Sequence, residues 1–206
     1  MEKPAFAAID KSVGTYLPAA GIDDFVRFVP SKSKTPALRA GIINADQPYQ
    51  FALPPTWGES RISNTQSGNY CQPRCDEPWV EVKFESAADG LLELIVCPLR
   101  KLTPAARATI EEIGDPDYFA PRIGPYLTGD YYDPDTLVEQ KVVKQDGLTY
   151  YFYELYAPEA ISGKPHILAF TTVKDEGCLI FKLTASEKQW KAAEPKLRKM
   201  GESFRA

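Results

Sequence analysis

The sequence predicts an α+β domain in which an antiparallel sheet is covered by helices, and three observations predict it. Residues 79–85, WVEVKFE, alternate apolar and polar side chains with the period of a half-buried strand. Two later stretches, 138–156 and 166–185, are each interrupted once by a turn sequence, Gln145-Asp-Gly147 and Lys174-Asp-Glu-Gly177, that folds a hairpin. The chain ends on Trp190, Ala193, Leu197, Met200 and Phe204, an apolar stripe at helical spacing. With 206 residues, the chain is long enough to bury one substantial core.

Residues 1–46 carry Pro4, Pro18, Pro30 and Pro36 with Gly14, Gly21 and Gly41, and keep neither the strand nor the helix period for long. They read as an extended N-terminal arm, holding one short strand at 25–29, and residues 47–206 as the domain. The stretch 49–57, YQFALPPTW, is a strand stopped at Pro54 and Pro55, because proline donates no ladder hydrogen bond. Strand 79–85 joins a second at 90–99 through a turn at 87–90. Thr109-Ile-Glu-Glu112 fits a capping box, in which a hydroxyl and a carboxylate satisfy the free N–H groups of a helix start. Asp115 then caps a helix with Pro116 at its first position, which Pro121 and Pro125 make short or distorted. Both hairpins carry a glycine for the position that needs positive φ. Ser186 and Gln189 form a second capping box at the head of the last helix, where Pro195 predicts a kink with the stripe continuing beyond it.

The function classes narrow by exclusion. A net charge of −4 argues against general affinity for nucleic acid, which needs clustered cations without an acidic excess. No run approaches the roughly 18 apolar residues of a membrane-spanning helix. Phosphate-binding loops, dinucleotide fingerprints, nucleophile elbows and zinc-protease motifs are missing, and the sequence holds a single histidine, so the chain reads as non-enzymatic. That histidine, His166, opens the last hairpin. With the turn centred near Glu176, antiparallel pairing sets it opposite Ser186 or Glu187. An imidazole and a carboxylate at that distance make either a surface ion pair or two ligands of an open metal site. Cations collect near the C-terminus, at Lys188, Lys191, Lys196, Arg198 and Lys199.

The segments PYQFALPPTW, TIEEIGDPDYFAPRIGPYL, DGLTYYFYELYAP, KPHILAFTTVKDEGCLIFKLTASEKQW and the terminal ESF resemble the PsbP family, over about residues 48–206. These are extrinsic lumenal proteins of the oxygen-evolving photosystem II and their relatives. The resemblance implies an α/β/α sandwich with a central antiparallel sheet and a place in the chloroplast thylakoid lumen, peripheral to the membrane. It further implies a non-enzymatic role: docking on lumenal photosystem subunits, foremost the oxygen-evolving side of photosystem II, in assembly, stability or regulation. The family's metal-binding pair and docking surface fall on His166 and Glu187, with Lys164 at the neighbouring basic position. It requires no cofactor and leaves room for a divalent ion, Zn, Mn or Ca, at a weak site. The arm and the C-x-x-x-C loop depart from PsbP itself, which favours a divergent relative.

In an oxidising lumen Cys71 and Cys75 are expected to be joined, with Pro73 bending the chain between them. Such a bond is a passive staple of a long loop or, with Arg74 favouring a thiolate, a pair that a thioredoxin-like partner reduces and reforms. Zinc would need two further ligands there, and Cys97 and Cys178 lie on predicted strands as buried fillers unless those strands are neighbours.

Overall fold

A computed structural model of the chain describes residues 11–71 and 75–206. Two short strands, β1 (Val26–Phe28) and β2 (Phe51–Leu53), pair with each other, at the places where the predicted strands 25–29 and 49–57 stand. The main sheet is built from β3 (Gly58–Glu59), β4 (Trp79–Ser86), β5 (Gly90–Pro98), β6 (Leu137–Gln145), β7 (Leu148–Tyr156), β8 (His166–Lys174) and β9 (Gly177–Ala185). Its seven strands run antiparallel throughout in the order β3-β4-β5-β9-β8-β7-β6, so each hairpin predicted from its turn residues is present.

The β6–β7 hairpin turns on Asp146 and Gly147, both at positive φ (52° and 80°). The β8–β9 hairpin differs from expectation. Its turn residues are Asp175 and Glu176; Asp175 takes the positive φ of 52°, and Gly177 is already paired with Lys174. An aspartate tolerates the left-handed region because its short polar side chain bonds locally. The register follows from this two-residue turn, and His166 stands opposite Ala185 rather than Ser186 or Glu187.

The described residues also hold four α-helices: α1 (Pro36–Arg39), α2 (Ile110–Ile113), α3 (Pro116–Thr128) and α4 (Glu187–Ser203). Both capping boxes close as predicted, Thr109 with Glu112 and Ser186 with Gln189. Asp115 caps α3 by accepting from the Tyr118 N–H at 2.8 Å. With 13 residues α3 is not short. Pro121 and Pro125 lie on its solvent face, where the carbonyls they leave without donors can turn to water. Pro195 is likewise exposed, and α4 continues past it to Ser203.

The sheet separates two apolar layers. On one face Ile95, Cys97, Tyr151, Tyr153, Ile167 and Ile180 meet α2 and α3 through Ile110, Phe119, Ile123 and Leu127. On the other, Phe84, Leu92, Leu94, Leu168, Phe181 and Leu183 meet Leu197, Met200 and Phe204 of α4 and its end. That second layer is completed by Val13, Phe25, Phe28, Ala37, Leu38, Ile43, Tyr49 and Trp57, all buried. The result is the expected α/β/α sandwich. The segment predicted as a loose arm is, over residues 11–46, a built part of the core. Scattered single apolar residues do that work, which is why no periodicity announces it.

Candidate functional site

His166 is the first residue of β8 and Glu187 the first of α4, and the tight connection from β9 through the Ser186 cap carries the carboxylate back over the sheet end. His166 Nε2 and Glu187 Oε2 lie 3.2 Å apart. Glu187 has a second partner that the sequence reading missed: Tyr156, paired with His166 across β7–β8, donates its hydroxyl to Glu187 Oε1 at 2.7 Å. The imidazole stacks on Trp190, one turn along α4, with ring centres 4.5 Å apart and planes within 4°. Arg198 covers the Trp190 ring at 5.3 Å and is itself held by both oxygens of Glu154 and by Glu194. The imidazole is therefore fixed from three sides, by a tyrosine, a tryptophan and a carboxylate.

The bonds from Tyr156 and then His166 hold the Glu187 carboxyl below the usual carboxylate range, and Lys191 adds its charge. Glu187 in turn raises the Tyr156 hydroxyl. An N···O separation of 3.2 Å matches the edge between two neighbouring ligands of one ion, each bond being about 2 Å. The two donors thus fit half of a divalent site. Among the described residues no group of three or more His, Cys, Asp or Glu side chains is placed to hold a metal, so water or another molecule would have to supply the rest.

The predicted docking cations divide into two sets. Lys196 bonds both oxygens of buried Asp89 at 3.0 Å, Arg198 is engaged as above, and Lys199 pairs with Asp23 at 2.5 Å. These three fasten α4 to the rest of the molecule. Lys188 and Lys191 stand exposed, Lys164 is half-buried, and among the described residues none of them is in an ion pair. All three belong to the segment that carries His166 and Glu187 or flanks it.

Cys71 and Cys75 are joined in a disulfide with Cα atoms 4.7 Å apart. Pro73 and Arg74 lie outside the described residues, and with them the suggested bend and thiolate-favouring charge. Cys75 is buried, its carbonyl accepting from Arg100. The strands of Cys97 and Cys178 prove to be neighbours, and the two residues stand directly opposite each other as buried free thiols.

A sequence model of the PsbP family matches residues 42–206. The chain belongs to the PsbP family. Its similarity to PsbP domain-containing protein 6, chloroplastic, of Arabidopsis thaliana is 45% identity over 204 residues, 98% of this chain and 76% of that protein. PsbP domain-containing protein 4, chloroplastic, of the same plant is 28% identical over 160 residues, 77% of this chain and 55% of that protein. The solution structure of cyanobacterial PsbP (CyanoP) from Synechocystis sp. PCC 6803 superposes with a TM-score of 0.55 at 16% identity, covering 92% of this chain and 96% of that one. At that identity the match speaks for the PsbP fold alone. The family match begins at residue 42, yet the PsbP-type core here draws on residues from Val13 onward.

Proposed function

We propose that the protein is a non-enzymatic, extrinsic protein of the chloroplast thylakoid lumen. It docks on lumenal photosystem subunits, foremost the oxygen-evolving side of photosystem II, and supports assembly, stability or regulation. The observation that carries this reading is the surface formed by Tyr156, His166, Glu187 and Trp190 beside Lys164, Lys188 and Lys191. It holds an oriented imidazole–carboxylate pair and cations left over from internal pairing. The chloroplastic names of the two relatives support the compartment. Among the described residues only half a ligand set is offered, so any divalent ion at the His166–Glu187 pair would be completed by water or by the partner.

Attraction between screened surface charges weakens with salt, so washing thylakoids in high salt releases the protein, and Lys188→Glu with Lys191→Glu lowers recovery of photosystem subunits in a pull-down. Equal recovery by wild type and double variant would remove this face from docking. Zinc titration of wild type and His166→Ala separates metal from docking: equal affinity leaves His166 without a ligand role.

The disulfide between Cys71 and Cys75 favours a second reading, thiol exchange with a thioredoxin-like lumenal partner. Its reduction potential decides. A value far below about −300 mV belongs to a structural staple and ends the redox reading.

A further inference from the structure

Glu81 sits where a strand residue of its pattern should face water, yet it is 2% exposed. The cause is a bulge: β4 pairs Val80 with Ile95 and Val82 with Leu94, so Glu81 has no partner on β5 and turns into the layer formed by the N-terminal segment. There its carboxyl accepts from the Ala37 N–H of α1 at 3.0 Å and from the Trp79 indole N–H at 2.6 Å. Trp79 lies flat against Gly68, where an added Cβ would meet the indole at 2.6 Å. The strand after it is bridged to the same loop by the Val80 N–H bond to Gln66. Arg39 at the end of α1 bonds Asn69. Glu81 therefore joins three things at one point: α1, β4 and the loop that leads into the Cys71–Cys75 disulfide.

We propose that Glu81 is a proton-operated pin, which holds residues 35–43 and the loop at 66–71 against β4 when protonated and loosens both when ionised. Its burial supports this, because an ionised carboxylate there is taken out of water and, among the described residues, forms no salt bridge. Tyr49, the other titratable group facing the site, is also fully buried, and its hydroxyl has no hydrogen-bond partner among the described residues. Among the described residues the one cation acting on Glu81 is Arg39, whose guanidinium is exposed and already bonded to Asn69 and Ser33. A charge so placed is better solvated when the site opens. Burial accordingly pushes the carboxyl up to about 7, against the pull of Trp79, Ala37, Arg39 and Thr35.

The sign follows from linkage. A carboxyl raised above its unfolded value stabilises the closed form at low pH, and that contribution is lost as pH rises through the folded value near 7. Between pH 6 and pH 8 the opening equilibrium at the site should rise about tenfold. The test uses the full chain with its disulfide formed. The rate at which a water-soluble phosphine reduces Cys71–Cys75 is measured at pH 6 and pH 8 for wild type and Glu81→Gln, which keeps the acceptor and removes the titration. The wild-type rate, taken relative to the variant so that the reagent's own pH dependence cancels, should increase about tenfold. Identical pH dependence in the two proteins overturns the proposal. Should the variant not fold, carbon-13 titration of the wild-type Glu81 carboxyl decides alone: a midpoint near 7 supports the pin, and one in the ordinary carboxylate range removes it.

Discussion

The two faces of the sheet are covered in opposite ways. One is roofed by α2 and α3, a single stretch of chain from Ile110 to Thr128 whose capping residues stand beside the elements they start. The other is roofed by pieces remote in sequence: residues 13–57 and the C-terminal α4, brought together over Phe51, Phe84 and Phe181. Non-local cover carries a larger loop-closure cost and must be held by specific contacts, not by a continuous apolar stripe. Here those contacts include Trp57 and Lys196 on Asp89, the N-terminal segment on Glu81, Lys199 on Asp23 and Gln50 against Arg205. The His166–Glu187 cluster and the disulfide loop both hang on this second, assembled side.

The largest test of that contrast is a matched pair of cavities. Phe181 stacks on Phe204 at 4.9 Å and meets Phe51 at 5.1 Å, while Phe119 meets Tyr151 at 5.8 Å on the other face. Phe181→Ala and Phe119→Ala should each cost about 3–5 kcal/mol in chemical denaturation. Amide exchange should tell them apart. Loss of Phe181 strips protection from β1 and β2 as well as α4, whereas loss of Phe119 leaves β1 and β2 protected. Release of residues 11–46 by both variants would show that the two covers form one cooperative unit.

A smaller test uses two helix glycines. A Cβ on Gly124 of α3 would lie 2.5 Å from Tyr132 Cβ and 3.1 Å from its Cα, so the following loop's backbone would have to move. A Cβ on Gly201 of α4 would lie 2.0 Å from the Phe170 ring, which is half-buried and can turn. Gly124→Ala should therefore cost about 1–3 kcal/mol in thermal or chemical denaturation, and Gly201→Ala less, because Ala also favours the helix by up to about 1 kcal/mol. The reverse order would place the tighter packing under α4.

The same contrast decides what could be read in advance. Hairpins and caps are legible because their signals are local: Asp146-Gly147, Thr109 with Glu112 and Ser186 with Gln189 each act within four residues. The arm was misread because Val13, Leu38 and Ile43 are buried one at a time against the rest of the core, without any period. Within WVEVKFE the alternation is real, yet the bulge at Glu81 turns a nominally outward acid inward, and no residue there announces it. At the candidate site, His166 with Glu187 was legible through hairpin pairing, which placed the histidine within one residue of its true register. Tyr156 was not, because the β7–β8 connection has no short turn from which to count. Trp190 was read as part of the apolar stripe; it packs against the core and also stacks on the imidazole.

Capping offers the next, finer comparison. Thr109→Ala and Ser186→Ala should each cost about 1 kcal/mol, since each removes one acceptor for a helix-start N–H. The consequences should differ, because only the Ser186 cap sets the position of a surface carboxylate. In Ser186→Ala the His166–Trp190 stack should loosen, seen as a shift of the His166 ring proton resonances. An unchanged His166 signal would mean that Tyr156 and Trp190 hold the cluster without help from the helix start.

The smallest expected effect on stability belongs to Glu187 itself, and its value lies in the sign. Tyr156 and His166 both bond the ionised carboxylate and lower its pKa, so the folded state binds that proton less readily than the unfolded chain does. The contribution is present above the ordinary carboxylate range and is lost as pH falls through the lowered folded value. Because the carboxylate is exposed, global unfolding is a poor reporter and the ring beside it is a good one. The sequence has a single histidine, so the His166 ring resonance is unambiguous. Acidified below the ordinary carboxylate range, wild type should show a shift of that resonance as Glu187 takes up its proton, and Glu187→Gln should lack the step. A step that persists in the variant would remove Glu187 as its source, and the carboxylate would then be a bystander to an imidazole held by Tyr156 and Trp190 alone.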